Sequence, residues 1–526
     1  MKKILTAIFI FLYFSISVFA IDKIDEFLEL SDTNNYEEIE AYLADWKKSN
    51  KKDPDLYLAY FTYYFERSSQ ASTDFTDDFA KKTEEYLNKG ISYNPKRLDL
   101  QFKRVTFYSL KHDYKKEYDL LVKLLSLDKK YKTKWLWEKN TPLNQTDTDF
   151  KTSMYDFINF MIITRTEETL NYAKKLSLEF LKYYPSDADV YEYTAIACFY
   201  LGDLVSAKEY FKTSYELDKN DYIHLADLAF ICFELYQYDE AKYYYELLAQ
   251  ASNEKYRDMA LDNLHVINLL LDCINDMITV EGYESDGQTS NFKIGKYEVT
   301  QELYKAVMGT NPSYYHDKAL PGENQDRRPV EFISWYDAVY FCNMLTILLI
   351  GPEELCYTIT NIVYKTDDDE AQKEKFIKET PTYVTFIKSA DVTINRGKKG
   401  FRLPTRDEWY FAASGGIKSQ NYKYAGSNDI SQVAWYFDNS NKTTHEVGLL
   451  NPNELGLYDM TGNVKEYCED LAFYTNTKNE VFPRRLQCGG NFFSKEDASE
   501  LSLYDEGLES PGNGGCGFRL VQSVGQ

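Results

Sequence analysis

The alternation of apolar and polar positions divides the chain at about Asp276. From Ile21 to Ile274 apolar residues recur at helical spacing, in a stretch dense in Tyr, Leu, Glu and Lys and almost without glycine or proline. That pattern predicts a succession of amphipathic helices. The pattern also repeats: LGDLVSAKEYFKTSYELDKND from Leu201 returns as LYQYDEAKYYYELLAQASNEK from Leu235, so that Ala207 and Ala241 stand 34 residues apart. Beyond Asp276 glycines return, the helical period stops and short alternating segments follow. Phe292-Lys293-Ile294 and Tyr297-Glu298-Val299 read as strands, and Thr300 as the cap of a helix over Gln301 to Met308. Trp335 to Leu345 reads as a second helix, and Thr405 with Glu408 forms a capping box that starts a third. Scattered strands around a few helices predict an α+β domain, with a charged insertion over Thr366 to Asn395.

The 34-residue spacing is that of the tetratricopeptide repeat, in which each alanine sits where two helices approach too closely for a larger side chain. An earlier copy lies in YNPKRLDLQF and HDYKKEYDLLVKLLSLD, but Pro95 and Pro185 are 90 residues apart, which is not a multiple of 34. An irregular insertion is therefore expected around Lys134 to Asp149, where Asn140, Pro142 and Asn144 interrupt the pattern. Helix pairs of this kind stack into a solenoid whose concave side takes up peptides or proteins. Most of the tyrosines, Tyr243 to Tyr245 among them, read as packing between helices.

Composition narrows the function. A chain of 526 residues exceeds one core and predicts at least two domains. Its 83 acidic and 60 basic residues give a net charge of −23, which argues against nucleic acid or an anionic membrane surface as partner. Lys2 and Lys3 precede an apolar run from Ile4 to Val18, and Val18-Phe19-Ala20 offers a cleavage site, so residues 1–20 read as an export signal. The expected location is periplasmic, cell-surface or secreted, with no span after signal removal. Eight cysteines are too few for a disulfide scaffold of this size, and their pairing is not legible.

The most unusual run is GLYDMTGNVKEY, Gly456 to Tyr467. Gly456 and Gly462 open backbone angles closed to other residues, and Asp459, Asn463 and Glu466 supply oxygens. Such a loop either wraps a hard cation or is a turn capped by its own side chains, and spacing alone favours the turn. The run resembles the GLYDMxGNVWEW signature of the formylglycine-generating enzyme, or sulfatase-modifying factor, family. Its companions stand in the family's order: KIGKYEVTQELYKAVMGTNPSYY from Lys293, RPVEFISWYDAVYFCNML from Arg328, GFRLPTRDEWYFAASGG from Gly400, VAWYFDNSNKTTHEVG from Val433, CGGNFF from Cys488 and GFRLV from Gly517. The resemblance implies a C-type-lectin-related α+β fold over residues 277–523, after a tetratricopeptide-like solenoid over 21–275. It also implies a structural calcium ion, with Asp459 and Glu466 as side-chain ligands and Gly462 and Val464 as carbonyl ligands.

The resemblance implies chemistry that this chain departs from. Family enzymes oxidise a sulfatase cysteine to formylglycine with two copper-binding cysteines, whose positions match Ser494 and Ser499 here. A serine hydroxyl is a hard, weakly acidic ligand and does not hold Cu(I), so copper is not expected. Lys465 and Tyr467 replace family tryptophans, and a run rich in arginine becomes Glu500, Tyr504, Asp505, Glu506 and Glu509, which predicts an acidic pocket floor. Of the histidines only His316 and His445 lie in this domain, without the HxxxH spacing of the family's iron branch, and His445 reads as a structural hydrogen-bonding residue. The expectation is a binding or scaffold protein, a pseudoenzyme, whose repeats take a protein partner and whose C-terminal domain takes a ligand. An active sulfatase-modifying factor, or another oxidoreductase of the family, is one alternative. A structural component of an envelope assembly is the other.

Overall fold

The computed structural model of the chain describes residues 22–71, 75–131, 134–285, 288–364, 387–475, 479, 481–507 and 515–524. The export signal, most of the charged insertion after Thr366, and Glu509 lie outside the described residues. Contacts divide the chain into two compact units, Met1–Leu235 and Tyr236–Gln526.

The first unit is all helix apart from short turns. Aspartates start the later helices at the repeat spacing: the Asp187 carboxylate accepts from the Val190 amide ahead of Ala188–Tyr200, and Asp221 accepts from the Ile223 amide ahead of Tyr222–Glu234. These two caps lie 34 residues apart, and Ala207 in the intervening helix Leu204–Leu217 is fully buried. The unit is therefore tetratricopeptide-like in the sense the spacing predicts.

The irregular stretch falls where the broken pattern placed it, and it packs rather than merely connecting. Single 3-10 turns at Glu138–Asn140 and Leu143–Gln145 follow Trp135, which is fully buried with its indole N–H donating to Asp128 at 2.7 Å. Aromatic packing fills the earlier core, with Tyr60 and Tyr86 stacked at 4.0 Å between ring centroids.

The second unit begins with two more helices, Tyr238–Leu248 and Glu254–Asn275. The apolar pattern assigns them to the helical half, whereas their contacts assign them to the second unit. One reason is specific: the Tyr238 hydroxyl donates to the Leu348 carbonyl. Ala241 is fully buried here and Tyr245 nearly so, while Tyr243 is exposed and meets the Tyr244 ring edge-on at 5.2 Å.

Ten strands follow among the described residues: β1 (Met277–Ser285), β2 (Gln288–Gly295), β3 (Tyr357–Tyr364), β4 (Ile387–Ile394), β5 (Phe401–Arg402), β6 (Lys465–Thr475), β7 (Val481–Cys488), β8 (Tyr504–Gly507), β9 (Cys516–Gly517) and β10 (Val521–Ser523). They form a sheet in the order β1-β2-β10-β5, a hairpin β3-β4, and a sheet in the order β8-β7-β6-β9 whose β6-β9 pair is parallel. This is an α+β domain of mixed small sheets.

The three helices start where the sequence places them, and the second has a capping box that sequence reading did not name. Thr300 caps Gln301–Met308, Ser334 with Asp337 boxes Trp335–Leu349, and Thr405 with Glu408 boxes Arg406–Ala413. The second runs four residues past the expected Leu345, through the buried Thr346 and the half-buried Ile347, Leu348 and Leu349. Tyr297-Glu298-Val299 is not a strand: Glu298 turns inward and accepts from the Asn463 side chain at 2.8 Å and the Val464 amide at 3.1 Å.

Candidate functional site

The loop from Gly456 is irregular as far as Val464, and β6 begins at Lys465. Gly462 has φ +86, and a Cβ on it would lie 2.4 Å from the Trp435 carbonyl oxygen, so only glycine fits. Asp459 and Asn463 also take left-handed angles, at φ 56 and 55, which their short polar side chains tolerate. The loop thus folds inward and buries its acids.

Glu466 is at the centre. Arg519 reaches it with Nε at 3.1 Å from each carboxylate oxygen and with its terminal nitrogen at 2.7 Å, and the Trp409 indole N–H donates to it at 2.7 Å. Arg519 also donates to the carbonyls of Gly295 and Tyr458, each at 2.8 Å. Four donor contacts on two oxygens use up the lone pairs of the carboxylate. As arranged, the Glu466 carboxylate is engaged by the Arg519 guanidinium and the Trp409 indole.

Asp459 differs. One oxygen accepts from the Gly448 amide at 2.8 Å, and the other is buried with no hydrogen-bond partner. Burial pushes its carboxyl up to about 6. Glu298, beside Asp459 and Glu466, is pushed well above the usual carboxylate range, by burial first and then by these two acids. Three buried carboxylates face one guanidinium, so the orphaned Asp459 oxygen fits a hard cation with further oxygen ligands, the role expected also for the Gly462 and Val464 carbonyls. Asp459 thus has a free buried oxygen of the kind calcium takes.

Ser494 and Ser499 come together around Gly490: a Cβ on that glycine would lie 2.9 Å from the Ser499 hydroxyl and 3.4 Å from the Ser494 Cβ. Both hydroxyls are engaged locally. Ser494 donates to the Asn491 side chain at 3.1 Å and accepts from its amide at 2.9 Å, and the buried Ser499 donates to the Lys495 carbonyl at 3.0 Å. Cys488 and Cys516 are both buried, and the Cys488 sulfur lies 3.7 Å from that of Cys468.

Two acids of the expected pocket floor, Glu500 and Asp505, meet lysines. Lys465, which replaces a family tryptophan, pairs with Asp505, and Lys423, which sequence reading left unassigned, lies 3.2 Å from Glu500. His445 is held between Glu323 at 2.7 Å and the Ser440 carbonyl at 2.8 Å and stacks on Trp435, in keeping with a structural part. His316 lies 2.8 Å from the Ser313 carbonyl.

Sequence reading missed a cleft of about 340 Å³ lined by Trp335, Arg396, Glu469, Asp470 and Arg485 among others. The Arg485 guanidinium lies 3.6 Å over the Trp335 ring, and Arg396 lies 3.1 Å from Glu469. Its residues come from four separate segments, and no spacing announces them.

Small mixed sheets, capped helices and an inward loop closed by a buried Arg-Glu pair define a formylglycine-generating-enzyme-like domain. Residues 279–524 match the sulfatase-modifying factor enzyme 1-like domain, and the chain belongs to that family. The chaperone protein LppX of Paenibacillus barcinonensis is 37% identical over 277 residues, which cover 47% of this chain and 90% of that protein. The solved structure of Treponema denticola variable protein 1 is 32% identical, with 47% of this chain and 95% of that chain covered at a TM-score of 0.36. A protein of Bos taurus named inactive C-alpha-formylglycine-generating enzyme 2 is 38% identical over 79 residues, 13% of this chain and 26% of its own.

Proposed function

We propose that this chain is an exported binding protein: the C-terminal domain is a recognition scaffold that does not make formylglycine, and the helical repeats take a protein partner. The observation that carries the reading is the pair Ser494 and Ser499. They meet at Gly490, where the family's enzymes have thiols, yet they offer only hydroxyls already bonded to their own loop. Hydroxyls lack the softness that Cu(I) requires. The name of the bovine relative, an inactive enzyme, supports a non-catalytic use of this fold, and the name of the Paenibacillus relative, a chaperone, supports protein clients. The cleft beside Trp335 supplies Arg396 and Arg485 for a ligand. The calcium ion is structural and sits at Asp459 with the carbonyls of Gly462 and Val464, while Glu466 stays with Arg519.

The test is a conversion assay with purified protein, copper and a peptide carrying Cys-x-Pro-x-Arg, beside a relative that has both cysteines. Mass spectrometry is expected to find no formylglycine with this chain and full conversion by the control. Conversion by this chain would overturn the reading. The double variant S494C/S499C is expected to gain Cu(I) binding, since the two positions already converge on one glycine.

A further inference from the structure

We propose a transition-metal site in the first unit, built by Asp189, Glu192 and His224, with zinc as the class of ion it takes. Asp189 and Glu192 stand three residues apart on the helix Ala188–Tyr200, and His224 faces them from the helix Tyr222–Glu234. The His224 Nε2 lies 2.9 Å from a Glu192 oxygen and 3.8 Å from an Asp189 oxygen, and the three ligand atoms all lie within 4.8 Å of one another. Zinc bonds of ~2.0–2.1 Å put tetrahedral ligand atoms about 3.3 Å apart. The observed spacings bracket that value, so small rotations of the acids complete the set.

Three carboxylates in search of charge would not by themselves make a site. The independent observation is the imidazole: His224 is only 1% exposed, and its Nδ1 is buried without a hydrogen-bond partner while its Nε2 points at the two acids. A buried histidine aimed at carboxylates presents the nitrogen that a borderline metal ion takes. Asp227, one turn beyond His224 on the same helix, adds a third carboxylate in the electrostatic reach of both Glu192 and His224. Among the described residues no lysine or arginine pairs with Asp189, Glu192 or Asp227, in contrast to Asp187, which pairs with Lys151 and accepts from Tyr155 at 2.7 Å. His224 is thus the one basic group shown facing Asp189 and Glu192 among the described residues. Asp189 is half exposed, which gives the ion a way in from solvent.

One imidazole with carboxylates favours zinc over manganese by the usual affinity order, and it disfavours calcium, which wants oxygen alone. The site is thereby separate in chemistry as well as in position from the one at Asp459.

The experiment is a titration of the chelator-treated full chain with Zn²⁺ against a chromogenic competitor, repeated with Co²⁺ for its visible spectrum. The expected result is one equivalent bound, weakened roughly tenfold or more in D189N and in E192Q, and unchanged in D459A. The first two changes fall at exposed or partly exposed positions, so the result does not hang on a variant of the buried His224. The cobalt spectrum is expected to report a nitrogen ligand and low coordination number. No binding, or binding that D189N and E192Q leave unaltered, would overturn the proposal.

Discussion

Glu117 is the residue whose burial carries the plainest consequence. Its two carboxyl oxygens are buried without a hydrogen-bond partner, and burial pushes the group from the usual 4.5 up to about 8. A carboxyl raised on folding contributes stability that is present below its unfolded pKa and lost as pH climbs through the folded one. Wild-type chain should therefore lose stability between about pH 4.5 and pH 8, by something on the order of 5 kcal/mol. In E117Q that slope should flatten, as denaturation midpoints at several pH values would show. Gly462 is the second such position. Its φ of +86 and the Trp435 carbonyl 2.4 Å from a would-be Cβ predict that Gly462→Ala costs on the order of 3 kcal/mol, read as a lowered melting temperature. Calcium should raise the melting temperature of the wild-type chain and leave Asp459→Ala unmoved. That glycine was legible because few residue types tolerate such an angle, whereas the left-handed angles of Asp459 and Asn463 were not read from the sequence. What the acids bond to was not legible, since Arg519 lies 53 residues from Glu466 and a spacing cannot announce a partner so far along the chain.

Among elements, the caps were the most legible feature. Thr300 and Thr405 each satisfy an amide that the helix itself leaves open, and that local chemistry needs no knowledge of the rest of the fold. The repeat was legible for a similar reason, because Ala207 recurs with its neighbours intact. Its full burial in the helix Leu204–Leu217 predicts that Ala207→Leu overpacks the helix pair and costs about 1–3 kcal/mol, measurable by chemical denaturation. Tyr297-Glu298-Val299 misled because alternation is also what a loop shows when one acid turns inward and its neighbours do not. The cluster at Asp189, Glu192 and His224 was illegible in a different way. Its acids and its histidine belong to helices of successive repeats, and within either helix alone they look like an ordinary solvated face.

For the whole chain, the surplus of acids sets a simple expectation. A net charge of −23 should leave the protein unretained on duplex DNA at physiological salt, where charges act over only about 8 Å. The domain assignment was legible from six motifs in one order, while the division into units was not, because Tyr238 reaches Leu348 across a change of pattern that composition alone would read as a boundary. The bond between Arg519 and Glu466 carries a last consequence, which concerns the order of events rather than the finished fold. Arg519 also holds the carbonyl of Gly295, 224 residues earlier, and the Glu466 carboxylate stays uncompensated until it arrives. During synthesis the second unit must wait, with its strand edges unpaired, for nearly its whole length to emerge. Its helical neighbour, built from contacts close in sequence, has no such delay and is expected to form first.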